Sequence, residues 1–441
     1  MARDVVIRGG RVIDASQGLD VVGDLYARDG RVAAIVRAGE QGPEMPADAA
    51  TIEAGGAIVS PGFVDLHCHL REPGFEEKET IADGTRAAAR GGFTSVCPMA
   101  NTQPPVDSRA VVEYVERTAR AVGAVRVFPV AAVTKGMEGK ELVEMGELAK
   151  AGVVAFSDDG KPVANARIMR AALEYGKMFD RPIMPHSEDP ELAAGGVMNE
   201  GPVATRLGLK GWPAAAEEVM IARDLELAAL TGGRLHVAHV STAGGVELVR
   251  RAKVRGIRVT AEATPHHLAL TDEWVAGARW DGRRAEPYDT NTKVNPPLRT
   301  EADRRALLEG LRDGTIDAIA TDHAPHSVVD KLCEYDQAAF GISGFETALA
   351  TLLRLVRNEE LDLKLVLEKL TLGPARAFGL EAGTLVVGAP ADVVVFGPNL
   401  RWTVDPREFA SKGKNTPLAG LPVVGKVIAT LVGGEVVYSS R

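Results

Sequence analysis

Residues 62–73 read GFVDLHCHLREP, an apolar run that ends in two histidines and leads into a polar segment. On a β-strand successive side chains point to opposite faces, so His67 and His69 would project together and Cys68 would point the other way. Two imidazoles on one face, two residues apart, form a chelating pair for a borderline metal such as Zn²⁺. The pattern therefore predicts a strand whose carboxyl end carries a metal site.

The same succession of apolar run, polar loop and helical segment recurs between about residues 61 and 326. The apolar runs, rich in β-branched residues, lie at 62–69, 92–101, 125–134, 152–160, 181–189, 234–242, 258–267 and 317–326. Strands that alternate with helices predict a parallel sheet, and this number of repeats is typical of a closed (β/α)₈ TIM barrel. In such barrels the active site lies at the carboxyl ends of the strands.

The two ends of the chain have a different pattern. Residues 1–60 predict hairpins in DVVIRGGRVID, DLYARDGRVAAIV and TIEAGGAIV, with glycine at the turns, and strand patterns return after about residue 380. Two β-rich ends that enclose a barrel predict that they pair into one small sandwich. We therefore expect an α/β protein with a barrel over 61–379 and a discontinuous β-sandwich from 1–60 and 380–441.

Composition excludes several classes of function. The net charge is -9 and the basic residues are scattered, so a nucleic-acid partner is not expected. Three cysteines do not make a disulfide framework. No apolar run approaches the roughly 18 residues of a membrane span, and the N-terminal residues lack the apolar core of a signal peptide. We expect a cytoplasmic protein that does not bind membranes.

Polar residues stand at the ends of other apolar runs, one position per strand. They are Asn101, the pair Asp158 and Asp159, His186, His239 and Asp322. A carboxylate at Asp322 could bind a metal and also accept a proton from a metal-bound water, although it could instead cap a helix. His186 or His239 alone could be a packed core histidine. His236 has the opposite strand parity to His239, which predicts a structural histidine facing the helices.

Four segments together resemble one enzyme family: DLHCHLREP, ATDHAPHSVVDK, NPPLR and GTLVVGAPADVVVF. They are similar to segments of the cyclic amidohydrolases, specifically the dihydroorotases of the long bacterial type, and the likeness covers nearly the whole chain. The resemblance implies a centre of one or two zinc ions on a (β/α)₈ barrel. It also implies reversible cyclisation of N-carbamoyl-L-aspartate to L-dihydroorotate in pyrimidine biosynthesis.

The resemblance implies metal ligands in two groups: His67, His69 and Asp322 on one zinc, and His186 and His239 on a second. Many relatives bridge the metals with a carboxylated lysine on strand four, where this chain has Asp158 and Asp159. The spacing to His186 favours Asp159 as the ligand, and Asp158 is the alternative. An unmodified carboxylate could bridge less tightly, so occupancy of the second position is open.

The resemblance also implies substrate contacts from His69, Arg71, Asn101, Asn295, His326, Phe340 and Gly341. Arg71 and Asn101 would hold the α-carboxylate, because arginine offers a two-pronged fit to a carboxylate. The backbone of Phe340 and Gly341 would approach the pyrimidine ring. Without the family, Arg71 could be a surface ion-pair partner and Asn295 an ordinary turn residue. For His266 and His267 a buried supporting role is expected.

In the hydrolytic direction we expect zinc-bound hydroxide to attack the ring carbonyl, with Asp322 as general acid and base. A hydantoinase, dihydropyrimidinase or allantoinase is the alternative enzyme, but those families usually carry the strand-four lysine and their substrates generally lack a fixed carboxylate. A ligand-depleted scaffold for aspartate transcarbamoylase is the non-catalytic alternative, against which every expected ligand position is filled. We expect a homo-oligomer, with association with aspartate transcarbamoylase as a further possibility.

Overall fold

The computed structural model describes residues 4–440; residues 1–3 and 441, which the expected terminal segments include, lie outside it. The chain begins with five strands: β1 (Val5–Asp14), β2 (Leu19–Arg28), β3 (Arg31–Arg37), β4 (Ala50–Glu53) and β5 (Ile58–Pro61). The central region adds β6 (Phe63–Cys68), β7 (Phe93–Pro98), β8 (Arg126–Val127), β9 (Val130–Ala131), β10 (Ala155–Phe156), β11 (Met198–Asn199), β12 (Gly211–Trp212), β13 (Leu235–Val237), β14 (Val259–Ala263) and β15 (Ala318–Ile319). The last strands are β16 (Val393–Thr403), β17 (Pro422–Val432) and β18 (Glu435–Ser439).

The central strands close into a parallel barrel. β6, β7 and β8 pair in order, β9 pairs with β10, and β13, β14 and β15 pair in order. Single parallel bridges at Ile183 link β10 to β13, and a bridge between Cys68 and His323 closes the ring. Each of the apolar runs in the sequence thus supplies one strand position of the barrel, which confirms the predicted barrel.

Four barrel strands are much shorter than the apolar runs that predicted them, and in the third and fifth runs proline interrupts the pairing. The fifth run forms only the bridges at Ile183, which lies between Pro182 and Pro185, and the third run is split into β8 and β9 by Pro129. Proline has no backbone N–H to donate to a neighbouring strand. The runs therefore keep their place in the barrel but lose regular pairing.

Helices surround the barrel. They are α1 (Ile81–Gly91), α2 (Arg109–Val122), α3 (Met145–Lys150), α4 (Ala166–Lys177), α5 (Pro190–Ala193), α6 (Pro202–Leu207), α7 (Ala215–Thr231), α8 (Ala243–Val254), α9 (Pro265–Ala269), α10 (Glu301–Arg312), α11 (Val328–Lys331), α12 (Phe345–Arg357), α13 (Leu363–Leu370) and α14 (Leu372–Phe378). α1 shows how they begin and end: the Thr80 side chain accepts from the Asp83 N–H, and Gly92 ends the helix at φ 91°. Within residues 4–440, no helix combines the length and apolar character needed to cross a bilayer.

Both ends of the chain build one sheet. Its order is β18-β17-β16-β5-β1-β2-β3, with β4 paired to β1, so β5 joins the N-terminal strands to the C-terminal ones. The sheet has its own buried apolar cluster, in which Val12 and Leu25 meet Val393 and Leu431. This confirms the predicted discontinuous β-domain beside the barrel, while its boundaries at 60/61 and 379/380 stay predictions.

The predicted N-terminal hairpins were wrong in two of three cases. Of the three predicted hairpins, only the one that β2 and β3 form is present, whereas β1 runs straight through Gly9 and Gly10, and β4 and β5 both lie parallel to β1. The pairing of β1 with β2 shifts register at the glycines, and Gly9 has φ 68°. A Cβ on Gly10 would lie 2.5 Å from Val59 Cγ2. The glycines therefore form a bulge with close packing, not a turn.

Candidate active site

A cavity of about 260 Å³ opens at the carboxyl ends of the barrel strands. Every predicted substrate contact lines it, as does every predicted metal ligand except His67, which lies fully buried. The residues concerned come from loops after six different strands and span positions 69–341. The barrel therefore gathers residues that are far apart in the chain; their individual roles stay predictions.

Asp159 lies in the middle of the predicted histidine ligands. Its carboxylate oxygens are 3.3 Å from His67 Nε2, 3.5 Å from His69 Nε2, 3.5 Å from His186 Nδ1 and 3.6 Å from His239 Nε2. Asp158 points elsewhere and accepts hydrogen bonds from the backbone N–H groups of Val133 and Thr134. Of the two aspartates, only Asp159 has the geometry of a ligand that could bridge two ions.

Two overlapping groups of side chains present ligand atoms within 4.8 Å of one another. One contains His67, His69 and Asp322, and the other contains His67, Asp159 and His239. Asp322 Oδ1 is 3.1 Å from His69 Nε2, and His186 Nδ1 is 3.0 Å from His239 Nε2. The arrangement offers imidazole nitrogens and carboxylate oxygens, a donor set that suits zinc.

The histidines are oriented by hydrogen bonds on the side away from the cluster. His67 Nδ1 is 2.8 Å from Glu262 Oε1, His69 Nδ1 is 2.9 Å from Asn101 Oδ1, and His186 Nε2 is 2.8 Å from Glu188 Oε2. If each of these nitrogens donates its proton, the other nitrogen of each ring faces the cluster with a lone pair. His67 Nε2 is buried and has no hydrogen-bond partner among residues 4–440. Such an atom is what an ion-binding site requires, and the residues present therefore fit a metal.

The charged groups of the cluster shift one another's pKa values. Burial opposes ionisation of Asp159 and Asp322, but the neighbouring imidazoles overcome it and hold both carboxyl pKa values below their ordinary range. Burial likewise opposes the charged form of His186, yet Asp159 and Glu188 raise its pKa to about 10. Each carboxylate thus stays ionised, and a cation entering the cluster would replace protons on the imidazoles.

Arg71 brings a positively charged side chain to the cavity. Its Nε donates to the Pro325 carbonyl at 3.2 Å and its NH2 lies 3.3 Å from His326 Nε2. Among residues 4–440, no carboxylate oxygen lies within 4.0 Å of its guanidinium. Burial lowers the pKa of Arg71, although Asp322 and Asp159 act in the opposite direction. A desolvated guanidinium without a carboxylate partner suits an anionic ligand.

Three predicted site residues have a left-handed backbone. Eight non-glycine residues of the described chain have positive φ, and Arg71 (61°), His239 (33°) and Asp322 (45°) are among them. A positive φ costs a residue with a Cβ free energy, and such strain concentrates at functional sites. His239, Asp322 and Arg71 each follow a barrel strand, so the backbone strain lies where the predicted site is.

Phe340 and Gly341 line the cavity, and the backbone conformation and close packing at position 341 require glycine. Gly341 has φ 139°, and a Cβ there would lie 2.6 Å from Ala324 Cβ and 2.8 Å from Ala324 O. His326 Nε2 lies 2.8 Å from the Phe340 carbonyl oxygen, which ties this loop to the strand-eight segment. The backbone at 340–341 can therefore approach a ligand closely.

Asn101 and Asn295 line the cavity but differ in how free their amides are. Asn101 Nδ2 lies 3.3 Å from the Asp159 carbonyl oxygen, so both ends of its amide have partners. Asn295 Nδ2 donates to Glu188 Oε2 at 3.1 Å, while its buried Oδ1 has no partner among the described residues. Asn295 thus presents an acceptor to a ligand.

Sequence reasoning missed Glu262 and Glu188. Glu262 interrupts the apolar strand β14, and a charged residue inside a buried strand was the signal that could have found it. Glu188 follows His186 closely, but nothing in its spacing indicated the bond to His186. Both lie beside predicted ligands, within the apolar runs 181–189 and 258–267.

Cys68, His236, His266 and His267 are buried, and none of them is a predicted ligand or substrate contact. Cys68 is buried in the same apolar cluster as Ile81 of α1. His236 is buried, bonded to Thr260 and Glu262, so its partners belong to the barrel wall. His267 bonds Thr264 and the Pro296 carbonyl, and burial lowers the pKa of His266 to about 4.

Comparison with known proteins agrees with this fold. Residues 56–244 match a dihydro-orotase-like family, and residues 205–438 match an amidohydrolase family. The dihydroorotase of Anaeromyxobacter sp. (strain K) is 54% identical over 438 residues, 99% of this chain and 98% of that protein. The dihydroorotase of Syntrophus aciditrophicus (strain SB) is 52% identical over 434 residues, 98% of this chain and 99% of that protein.

Solved structures give the same class. The L-hydantoinase (dihydropyrimidinase) from Arthrobacter aurescens has a TM-score of 0.86 at 28% identity and covers 100% of this chain and 96% of its own. A dihydropyrimidinase from Brevibacillus agri NCHU1002, with a TM-score of 0.82 at 23% identity over 98% of this chain and 94% of its own, shares the fold. The barrel, the sheet built from both ends of the chain, and the cluster of histidines and aspartates at the strand ends together define an amidohydrolase. Within that class, the chain belongs to the dihydro-orotase-like family, as the sequence motifs predicted.

Proposed function

We propose that this protein is a zinc-dependent dihydroorotase, which interconverts N-carbamoyl-L-aspartate and L-dihydroorotate in pyrimidine biosynthesis. The observation that carries the proposal is the position of Arg71, an unpaired guanidinium on the same cavity as the imidazole and carboxylate cluster. A cyclic amide with a fixed carboxylate needs both features. The names of the full-length relatives support the same substrate.

The cluster would hold one or two zinc ions through His67, His69, Asp159, His186, His239 and Asp322. Zinc held there would polarise the scissile carbonyl and, by lowering the pKa of water from 15.7 to about 7, supply a nucleophile at neutral pH. Arg71 and Asn101 would hold the substrate carboxylate, and Asn295, His326 and the backbone at Phe340 and Gly341 would orient the ring. His69 would contact both ion and substrate.

Asp322 would move the proton. In the hydrolytic direction it takes a proton from the attacking water and gives it to the leaving ring nitrogen as the C–N bond breaks. In the biosynthetic direction it takes a proton from the carbamoyl nitrogen as that nitrogen attacks the side-chain carboxyl carbon, and it returns the proton to the departing carboxyl oxygen, which leaves as water with one further proton from solvent. Asp322 lines the same cavity as Arg71 and lies 3.1 Å from His69 Nε2, which supports this role.

Zinc analysis paired with hydrolysis assays tests the proposal. We expect one or two zinc ions per chain and turnover of L-dihydroorotate well above that of hydantoin or allantoin. Preference for hydantoin would favour the hydantoinase alternative, and a chain that retains no metal and no activity would favour a scaffold. Asp322→Ala should lower kcat by about 100-fold to 10,000-fold while the protein stays folded. Near-normal turnover in that variant would exclude Asp322 as the base.

We also propose that the protein acts in the cytoplasm as a homo-oligomer. Association with aspartate transcarbamoylase would follow from consecutive steps in one pathway. Size measurement with and without that enzyme tests both statements.

A further inference from the structure

Strand β14 contains a buried charged residue, although none of its residues is a predicted metal ligand or substrate contact. Its residues Val259, Ala261 and Ala263 are apolar and buried, yet Glu262 between them is a carboxylate with no solvent exposure. A charge buried inside a strand costs several kcal/mol unless its partners compensate. The partners of Glu262 should therefore reveal why the barrel contains it.

The carboxylate of Glu262 forms hydrogen bonds with three histidine residues. Its Oε1 lies 2.8 Å from His67 Nδ1 and accepts from the His239 backbone N–H at 3.4 Å. Its Oε2 lies 3.2 Å from His236 Nε2. The Glu262 carboxylate thus contacts the side chain of His67 in β6 and the backbone of His239, which follows β13.

The hydrogen bonds form a chain in which the donors converge on the Glu262 carboxylate. Thr260 Oγ1 lies 2.7 Å from His236 Nδ1, so the hydroxyl can donate to that nitrogen and His236 can donate from Nε2 to Glu262. His67 then donates from Nδ1 to the other carboxylate oxygen. With Nδ1 bonded to Glu262, His67 Nε2 is the buried nitrogen that faces Asp159 and Asp322 and that would bind an ion there.

We infer that Glu262 is a positioning residue, which fixes the ring orientation and tautomer of His67 for metal binding and is itself held by His236. Carboxylates behind metal-binding histidines increase the basicity of the ligand, and their loss typically costs 10-fold to 100-fold in metal affinity. This inference rests on the proposed metal site. It assigns a function to Glu262, and it gives His236 a role in the site that its strand parity did not suggest.

The test is the zinc dissociation constant of Glu262→Gln, measured by competition with a chromophoric chelator. Glutamine keeps the shape but removes the charge, so we expect the constant to rise by 10-fold to 100-fold. Glu217→Gln is the matched control: Glu217 is also a buried glutamate, bonded to Ser241 and Arg299, and contacts no predicted ligand. That control should stay within about threefold of the wild type. His236→Gln should shift the constant in the same direction, but less.

A second measurement does not depend on the variants folding. In wild-type protein labelled with ¹⁵N-histidine, the long-range ¹H–¹⁵N spectrum should show His67 with its proton on Nδ1 when zinc is bound. A proton on Nε2 would overturn the inference, as would zinc binding by folded Glu262→Gln equal to that of the wild type and of Glu217→Gln. If the wild type itself binds no zinc, the proposed function fails before the inference is reached.

Discussion

Replacing Arg71 by methionine should separate substrate binding from metal binding. Methionine keeps most of the apolar stem and removes the guanidinium, which lines the cavity and, within residues 4–440, forms hydrogen bonds only with Pro325 and His326. Because Arg71 contacts no predicted metal ligand through a hydrogen bond, the zinc content should not change. The loss should fall on the substrate carboxylate.

The size of the loss follows from the hydrogen bonds removed. A two-pronged contact with a carboxylate consists of two charge-assisted hydrogen bonds, each worth about 1.5 kcal/mol at the lower end of the usual range. Their sum of about 3 kcal/mol corresponds to roughly a 100-fold weaker affinity. Arg71→Lys keeps the charge but not the fork, so it should lose roughly tenfold.

The assay is KM for L-dihydroorotate hydrolysis, with zinc per chain measured on the same preparations. Arg109→Met is the control, because Arg109 is an exposed helix residue paired only with Glu113. An unchanged KM in Arg71→Met would refute the carboxylate contact. Parallel loss of zinc and affinity would instead place Arg71 in support of the metal.

Two other changes test the loop at the cavity and a buried charge outside it. Gly341→Ala should raise KM and lower the free energy of unfolding by about 1–3 kcal/mol, since its Cβ would overlap Ala324; wild-type values in kinetics and urea titration would contradict the close packing. Burial raises the pKa of Glu346 to about 7 despite Arg90, so the folded state binds this proton more tightly than the unfolded chain, whose pKa is near 4.5. The free energy of unfolding should therefore fall by up to about 3 kcal/mol as pH rises from about 4.5 to about 7, and Glu346→Gln should remove this part of the pH dependence. Identical pH profiles for Glu346→Gln and the wild type in urea titrations would show that the carboxyl is not perturbed.

Local patterns predicted the barrel and the chain-end sheet, and they failed where backbone geometry depends on a distant neighbour. A pair of glycines such as Gly9 and Gly10 is typical of a turn. In the structure, however, Val59 packs against Gly10, and β4 and β5 pair with β1 before and after the bulge. No local signal distinguishes a glycine pair in a bulge from one in a hairpin.

The candidate site shows the same division. The strand parity of His67 and His69 is a local property, and both side chains lie at the predicted cluster. The choice between Asp158 and Asp159 depended on family spacing, whereas the structure separates them through their contacts with Thr134 and the histidines. Adjacent residues at an irregular strand end differ by a backbone rotation that no periodicity encodes.

The order of apolar and polar residues was enough to establish the (β/α)₈ class, the joined chain ends and a strand-end cluster, because strand and helix periods are properties of neighbouring residues. Only the folded barrel reveals that Glu262 supports His67, since the two are 195 positions apart and meet across the closure of the sheet. It also reveals that Arg71 has no carboxylate partner within residues 4–440, as that requires knowing everything that surrounds it. Contacts between distant strands depend on how the barrel closes, and closure is a property of the whole chain.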